Sequence, residues 1–209
     1  MLDKPAIQDF IAYSQKRSYP PKHNILQAGD EPKSLFLILE GSVSVLTKED
    51  DREMVLAYLN PGEFFGEMCL FPEQRARTAI IRTRTPVLVS ELEYGAFREF
   101  VRRQPDIMFE VAGQLAARLR DTSRRLRDLA FLDVAGRLAH ELLALCQKPD
   151  AITHPRGTIV KISRQELARI VGCSREMAGR VLKKLEEDGL ILSQGRGILV
   201  LSGASSSAP

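Results

Sequence analysis

The chain has 209 residues, 44% of them hydrophobic and 27% charged, a composition that excludes disordered and fibrous proteins. No apolar run approaches the ~18 residues that a membrane helix needs, and the first residues lack a signal-peptide pattern, so we expect a cytoplasmic protein that does not interact with membranes. The net charge of +3 is compatible with nucleic-acid binding but does not require it.

A short helix and a series of strands are predicted in the first half of the chain. Ile7, Phe10 and Ile11 lie at helical spacing and are followed by two prolines, which predicts a leading helix over residues 5–17. From residue 24 the pattern changes to brief apolar or alternating runs between turn residues, typical of a sandwich or barrel. The predicted strands are residues 25–27, 34–41, 42–47, 53–59, 78–83 and 87–92.

A glycine-containing segment between two of these strands has the residue types of a phosphate site. Gly62 and Gly66 bracket two phenylalanines, and Glu67 precedes a predicted short helix. Backbone N–H groups near a glycine and a helix start can hold a phosphate, and a carboxylate can accept a hydrogen bond from a sugar hydroxyl. Arg77 and Thr78 would add a positive charge and a hydroxyl. A tight glycine turn beside a surface arginine explains the same residues, so both interpretations stay open at this point.

The longest helical pattern follows Pro105, and its apolar positions recur at alternating spacings of four and three. This is typical of a coiled-coil seam and predicts a homodimer, whereas burial of the stripe against the chain's own sheet is the alternative. Thr122, with Ser123 beside it, breaks the seam, either to set its register, to bond its own backbone or to bind a ligand between two subunits. The seam consists of Met108, Ala112, Leu115, Leu119, Thr122, Leu126 and Leu129.

A second domain is predicted after residues 131–133, which form a joint between two helical patterns. Asp133 is suited to cap the helix that follows. Residues 149–157 are rich in turn formers and predict an exposed contact loop before a short strand over residues 158–162.

Two helices joined by a tight turn are predicted between residues 163 and 187. Ser163 and Glu166 form the pattern of a capping box at the start of the first helix, and Gly172 can take the left-handed conformation that ends it. Ser174 then offers an N-cap for the second helix. Short apolar runs over residues 190–192 and 197–201 predict a hairpin, or wing, with Arg196 near its tip to contact a phosphate.

The second of these helices has one charged face, which we interpret as a face that reads DNA. An arginine can bridge the two major-groove acceptors of guanine, and a glutamate can accept a hydrogen bond from the cytosine amine. An ordinary amphipathic helix pair with a solvated face is the alternative. The predicted DNA contacts are Arg164, Gln165, Ser174, Arg175, Glu176, Arg180 and Lys183.

The order of these elements, together with four stretches of sequence, resembles the cyclic-AMP receptor protein family, also called catabolite activator proteins. The stretches are GEFFGEM, AFLDVAGR, PDAITHP and SRQELARIVGCSREMAGRVLKKLE, and the resemblance covers nearly the whole chain. It implies an α+β fold with four parts. The first three are a β jelly-roll cyclic-nucleotide-binding domain over residues 1–104, a dimerisation helix and hinge over 105–132 and a winged helix-turn-helix over 133–201. The fourth, residues 202–209, is predicted to be a disordered tail from its low-complexity composition.

The resemblance also implies a function and roles for individual residues. It implies a homodimeric transcription regulator that is controlled by cyclic AMP, binds a TGTGA-like palindrome in double-stranded DNA and contacts RNA polymerase. The base edges would be read by Arg175, Glu176 and Arg180, and the polymerase contacted by Thr153 and His154. The implied cyclic-AMP contacts are Gly66 and Glu67 at the ribose, Arg77 and Thr78 at the cyclic phosphate, and Thr122 with Ser123 of the partner subunit at the adenine amine.

The chain departs from the family pattern at several positions. Thr78 stands where serine is usual, which keeps the hydroxyl but adds a methyl group near the phosphate. Gln15, Arg17 and Ala96 stand where the family has the histidines and lysine of a second polymerase contact. Activation through that second contact is therefore not implied.

Other kinds of function remain as alternatives. Relatives of the same fold respond to cyclic di-GMP or bind DNA without a ligand, although the presence of Arg77, Thr122 and Ser123 favours cyclic AMP. An enzyme that hydrolyses cyclic nucleotides with a metal would need clustered histidines and carboxylates. The three histidines and three cysteines of this chain are widely spaced, so we expect neither a metal site nor an enzyme.

Overall fold

A computed structural model describes residues 2–49, 52–71, 76–148, 150–194 and 197–202. The chain divides into two compact units, Met1–Asp121 and Thr122–Pro209. The division lies inside the long helix, before the joint at residues 131–133 where the sequence places a domain boundary. In the described part of the chain, no helix combines the length and apolar character needed to cross a membrane.

Within its described residues, the first unit contains two antiparallel four-stranded sheets, a 3-10 helix, two complete α-helices and the greater part of a third. One sheet has the strand order β1-β8-β3-β6 and the other β2-β7-β4-β5. The elements are α1 Pro5–Tyr13, β1 Gln15–Tyr19, β2 Asn24–Leu26, β3 Ser34–Glu40, β4 Val43–Glu49, β5 Arg52–Leu59, β6 Phe64–Phe65, a 3-10 helix Glu67–Leu70, β7 Ile80–Thr83, β8 Val87–Glu93, α2 Tyr94–Arg103 and α3 Asp106–Phe131.

Strand β3 lies at the centre of this unit and is buried on both faces. Its first five residues, from Ser34 to Ile38, are all buried, a pattern that requires cover on each side of the sheet. Leu35 and Leu37 pack with Phe10 of α1 and with other apolar residues of α2 and α3, whereas Phe36 and Ile38 belong to a cluster that includes residues of the other sheet. The predicted sandwich is confirmed, with helices covering one of its faces.

Three elements of the first unit differ from the sequence prediction. The leading helix ends at Tyr13 rather than at residue 17, because Gln15–Tyr19 pairs as strand β1 with β8. This edge strand is mostly exposed and lacks the apolar alternation that would indicate it. Strand β6 and helix α2 were also not predicted; β6 has only two residues, and α2 buries only Phe97 and Phe100.

The second unit is a winged helix-turn-helix, as predicted. Its sheet is antiparallel with the order β11-β12-β10-β9, and Leu138, Leu167, Leu182 and Leu199 are among its buried core residues. The elements after α3 are α4 Val134–Cys146, β9 Ile152–His154, β10 Gly157–Val160, α5 Arg164–Val171, α6 Arg175–Glu187, β11 Ile191–Gln194 and β12 Gly197–Leu201.

The loop predicted over residues 149–157 contains strand β9, so that prediction was wrong in part. Three residues with exposed Ile152 and Thr153 give no periodic signal, and β9 forms through its pairing with β10. Arg196, which the sequence places near the tip of the wing, and the tail beyond residue 202 lie outside the described residues.

The joint between α3 and α4 is held by a cap and by a cluster of charges. Asp133 caps α4, as predicted, by accepting a hydrogen bond of 2.8 Å from the N–H of Gly136. Buried Glu141 of α4 accepts from both Nη2 (2.9 Å) and Nε (3.3 Å) of Arg125 on α3. Arg124 Nη2 adds a longer ionic contact of 3.7 Å to the same carboxylate. Side-chain pairing therefore fixes the end of α3 to α4.

We expect Glu141→Gln to lower the stability of the second unit by roughly 2 kcal/mol, because the neutral amide loses the ion pair with Arg125 and offers one acceptor oxygen where the carboxylate offers two. Chemical denaturation followed by circular dichroism measures the change. Glu99→Gln is the matched control, since Glu99 pairs with Arg102 on an exposed surface where such pairs contribute little. Equal effects of the two substitutions would contradict the structural role of Glu141.

Candidate functional site

The segment between β5 and β7 forms a turn that only glycine fits well. Gly66 has a left-handed backbone with φ 83°, and it follows the buried β6 pair Phe64–Phe65. A Cβ at Gly66 would lie 2.8 Å from Nη1 of Arg77 and 3.0 Å from the carbonyl oxygen of Ser34. The missing side chain therefore lets the arginine approach this backbone closely.

Arg77 is buried, with 6% of its surface exposed, so the interpretation of it as a surface arginine was wrong. Its Nη1 donates to the Gly66 carbonyl oxygen (3.1 Å) and to the Tyr94 hydroxyl (2.7 Å), and its Nη2 donates to the Ser34 carbonyl oxygen (2.8 Å). Within the described residues no carboxylate pairs with this guanidinium, and its buried Nε has no hydrogen-bond partner. We call the group formed by Gly66, Glu67, Arg77 and Tyr94 the cradle. It contains a buried positive charge whose hydrogen-bond acceptors are all neutral.

Tyr94, at the first position of α2, closes the same hydrogen-bond cluster. Its hydroxyl donates to the Gly66 carbonyl oxygen (2.6 Å), and its ring lies 5.6 Å from the Arg77 guanidinium. Burial raises the pKa of Tyr94 to about 12, although the nearby arginine acts in the opposite direction. The hydroxyl therefore keeps its proton near neutral pH and remains a donor.

Glu67, at the start of the 3-10 helix, is 5% exposed and forms an ion pair with α3. Its Oε1 accepts from Nη1 of Arg118 at 2.6 Å, and Nη2 of Arg118 donates to the Phe64 carbonyl oxygen. Oε2 of Glu67 forms no hydrogen bond within the described residues and can accept one from a ligand hydroxyl. Gln114, one turn before Arg118 on α3, also bonds the backbone of this segment.

The structure brings together Gly66, Glu67 and Arg77 but leaves the other predicted ligand residues apart from them. Thr78 follows Arg77 and is exposed. Thr122 and Ser123 are exposed on α3 in the second unit and stay predicted ligand contacts. Among the residues that the structure describes, no group of histidine, cysteine and acidic side chains is arranged to hold a metal ion.

The predicted seam of α3 has two parts with different exposure in the single chain. Met108 and Leu115 pack against the core of the first unit, in line with the alternative of burial within one chain. Leu119, Leu126 and Leu129 are 68%, 66% and 59% exposed. Three leucines exposed to this degree at seam spacing form an apolar surface available to a second helix.

The local signals of the helix-turn-helix are confirmed in detail. Ser163 accepts from the Glu166 N–H (3.2 Å) while the Glu166 carboxylate accepts from the Ser163 N–H (2.9 Å), which is a complete capping box. Gly172 ends α5 with φ 73°, and Ser174 caps α6 by accepting from the Met177 N–H at 3.1 Å.

All predicted DNA contacts are exposed, whereas α6 buries Ala178 and Leu182 on its other side. Backbone and Ser174 hydrogen bonds at the helix start, together with Arg175 and Arg180, lower the pKa of the Glu176 carboxyl, so it is ionised and can act as an acceptor. The exposed set is Arg164, Gln165, Ser174, Arg175, Glu176, Arg180 and Lys183.

The predicted polymerase contacts lie on β9, at the edge of the wing sheet. Thr153 is exposed and His154 is half-buried, with Nδ1 of His154 accepting from the Arg156 N–H at 3.2 Å. Both stay predictions.

Comparison with known proteins adds two family matches and several similar full-length proteins. Residues 16–104 match the cyclic nucleotide-binding domain, and residues 160–191 match the bacterial regulatory proteins of the crp family. The chain is 48% identical to the cAMP-activated global transcriptional regulator Vfr of Pseudomonas aeruginosa, over 93% of this chain and 92% of Vfr. It is 44% identical to the corresponding regulator CRP of Pasteurella multocida, over 94% of each chain. The chain belongs to the crp family.

Among solved structures, the c-di-GMP responsive global regulator CLP of Xanthomonas campestris is similar, with a TM-score of 0.84 and 44% identity over 94% of this chain and 98% of that one. As a member of the crp family, the chain is a DNA-binding transcription regulator with a cyclic-nucleotide-binding domain.

Sequence reasoning missed three residues that hold the segment between β5 and β7 in place: Tyr94, Gln114 and Arg118. Each lies on a helix that follows the sheet and reaches a segment far away in sequence, as Gln114 does to Phe64 across 50 residues. The only available signal was that Gln114 and Arg118 are polar residues four positions apart on a helix whose apolar stripe lies elsewhere.

We expect Gly66→Ala to weaken cyclic-nucleotide binding by roughly tenfold or more, equivalent to about 1.4 kcal/mol, because the added methyl group displaces the Arg77 guanidinium. Calorimetric titration with cyclic AMP and cyclic GMP measures the affinity. Gly189→Ala is the control for backbone strain, since Gly189 also has a positive φ (71°) but an added Cβ meets no atom within 4 Å. Equal affinities of the two variants would count against this contact.

Proposed function

We propose that this chain is a homodimeric transcription regulator whose affinity for a TGTGA-like palindrome is raised by cyclic AMP. The observation that carries the proposal is the buried guanidinium of Arg77, which has only neutral acceptors among the described residues. A buried charge without a counter-ion is costly, so an anion that enters the cradle gains strong charge-assisted hydrogen bonds. A cyclic phosphate has the charge and the acceptor oxygens for this place.

The other residues of the cradle fit a nucleotide better than a free phosphate. Oε2 of Glu67 is able to accept a hydrogen bond from a ribose hydroxyl, and the Thr78 hydroxyl follows Arg77 directly. Thr122, and Ser123 of the partner subunit, are assigned to the adenine amine. Vfr and CRP, at 48% and 44% identity, are named as cAMP-activated, which supports cyclic AMP as the effector.

Cyclic di-GMP is the second candidate effector because CLP, a structural neighbour at 44% identity, responds to it. The two nucleotides differ in the number of phosphates that must be neutralised. Among the described residues, Arg77 is the arginine that the cradle supplies without a carboxylate partner, whereas Arg118 is paired with Glu67. One guanidinium without a carboxylate partner favours a ligand with a single phosphate.

Dimer formation is assigned to the exposed part of the α3 seam. Leu119, Leu126 and Leu129 would be buried by the same residues of a second copy, and Thr122 lies between them in the seam pattern. A two-fold dimer presents two copies of α6, which would read half-sites roughly 34 Å apart.

Base reading is assigned to the exposed face of α6. Arg175 and Arg180 would bond the major-groove acceptors of guanine, and the ionised Glu176 would accept from a cytosine amine. Arg164, Gln165, Ser174 and Lys183 would contact the backbone and fix the register. Thr153 and His154 on β9 would contact RNA polymerase.

The test is binding of the full chain to a TGTGA-type palindrome with no ligand, cyclic AMP, cyclic GMP or cyclic di-GMP. We expect cyclic AMP to raise the DNA affinity by a factor within the usual allosteric range of about 5 to 150. A response to cyclic di-GMP instead would reassign the effector, and affinity that is indifferent to all three nucleotides would refute the ligand switch.

We expect Arg180→Ala to cost about 1 to 3 kcal/mol of discrimination at one base pair, since a bidentate contact to guanine is lost. Binding-site selection followed by affinity measurements at several salt concentrations provides the readout. Lys183→Ala is the companion variant; it should weaken binding to all sequences alike and reduce the salt slope by about 1. If Arg180→Ala leaves the sequence preference intact, the assignment is wrong.

A further inference from the structure

The side chain of Gln114 on α3 takes the place of a neighbouring strand beside residues 62–64. Its Oε1 accepts from the Phe64 N–H at 2.8 Å, and its Nε2 donates to the Gly62 carbonyl oxygen at 2.8 Å. In the same segment, the Gly62 N–H donates to the Ile38 carbonyl oxygen of β3 (2.8 Å), and the Glu63 carbonyl oxygen accepts from the Ile38 N–H (3.0 Å). The segment is therefore held both by β3 and by one carboxamide.

This contact has a direct connection to the ligand cradle. Residues 62–64 lead into Gly66 and Glu67, so a shift of the cradle on ligand binding moves the backbone that Gln114 holds. Gln114 itself bonds no residue of the cradle that is assigned to the ligand, unlike Arg118, which pairs with Glu67. Its bonds go to backbone groups only.

We propose that Gln114 is a positioning residue that couples the nucleotide cradle to the long helix α3. This inference rests on the proposed function. Two hydrogen bonds in opposite directions fix both the distance and the orientation between the segment and the helix, whereas apolar contacts alone allow sliding. A ligand changes the state of α3 only through a difference in free energy between two arrangements, and Gln114 transmits that difference from the cradle to the helix.

The experiment compares Gln114→Met, which keeps the length of the side chain but removes both bonds, with the wild-type chain. DNA affinity is measured by fluorescence anisotropy without and with saturating cyclic AMP, and the ratio of the two affinities is the coupling. Cyclic-AMP affinity without DNA is measured by calorimetry. We expect Gln114→Met to reduce the coupling roughly fivefold or more while the affinity for cyclic AMP changes less than about twofold.

Two further variants sharpen the result. Gln104→Met is the matched control, because Gln104 donates a single exposed bond to Asp9 (2.9 Å), and it should retain the wild-type coupling. Gln114→Glu keeps the acceptor for the Phe64 N–H but has no donor for Gly62, so we expect an intermediate coupling. It also provides the test if Gln114→Met does not fold, as judged by circular dichroism.

Wild-type coupling in the folded Gln114 variants would overturn the inference and leave the proposed function intact. Loss of cyclic-AMP affinity with unchanged coupling would also overturn it, since Gln114 would then only hold the binding site. A wild-type chain whose DNA affinity does not change with cyclic AMP refutes the proposed function, and with it the inference. By linkage, the reduced coupling must also appear as a smaller effect of DNA on cyclic-AMP affinity.

Discussion

The burial of the Arg77 guanidinium is the constraint on which the proposed ligand site depends. Three separate segments supply its acceptors, namely Ser34 at the start of β3, Gly66 in the turn after β6 and Tyr94 at the start of α2. These neutral groups fix the position of the charge without neutralising it, so under the proposed function the guanidinium is held in place before the anion binds. The absence of a side chain at residue 66 is a condition for this arrangement, because a Cβ there would meet Nη1.

Features decided by neighbours in the sequence could be predicted, and those decided by distant partners could not. Ser163, Gly172 and Asp133 act on backbone groups within a few residues, so their roles as caps follow from spacing alone. Strand β1 is different, since its exposed residues form a strand only through pairing with β8, more than sixty residues away. Strand β9 depends in the same way on β10.

The candidate site also contains some residues that local sequence indicates and others that depend on distant partners. The residue types of Gly66, Glu67 and Arg77 indicate phosphate and sugar binding, and the family resemblance assigns them to a ligand. Sequence alone left Arg77 undecided between a surface position and a site, because its burial results from packing of β3, α2 and the turn around it. The bonds from Gln114 and Arg118 span 50 and 51 residues and have no local signature.

Helix α3 carries its hydrogen-bonding side chains and its exposed leucines on neighbouring stripes. At roughly 100° per residue, Gln114, Arg118 and Arg125 fall within an arc of about 40°, and the exposed seam leucines occupy the adjoining arc. The first two hold the cradle segment, and Arg125 bonds Glu141 of α4. Gln114 and Arg118 belong to the first unit and Arg125 to the second, so one helix supplies hydrogen-bonding side chains to each unit separately.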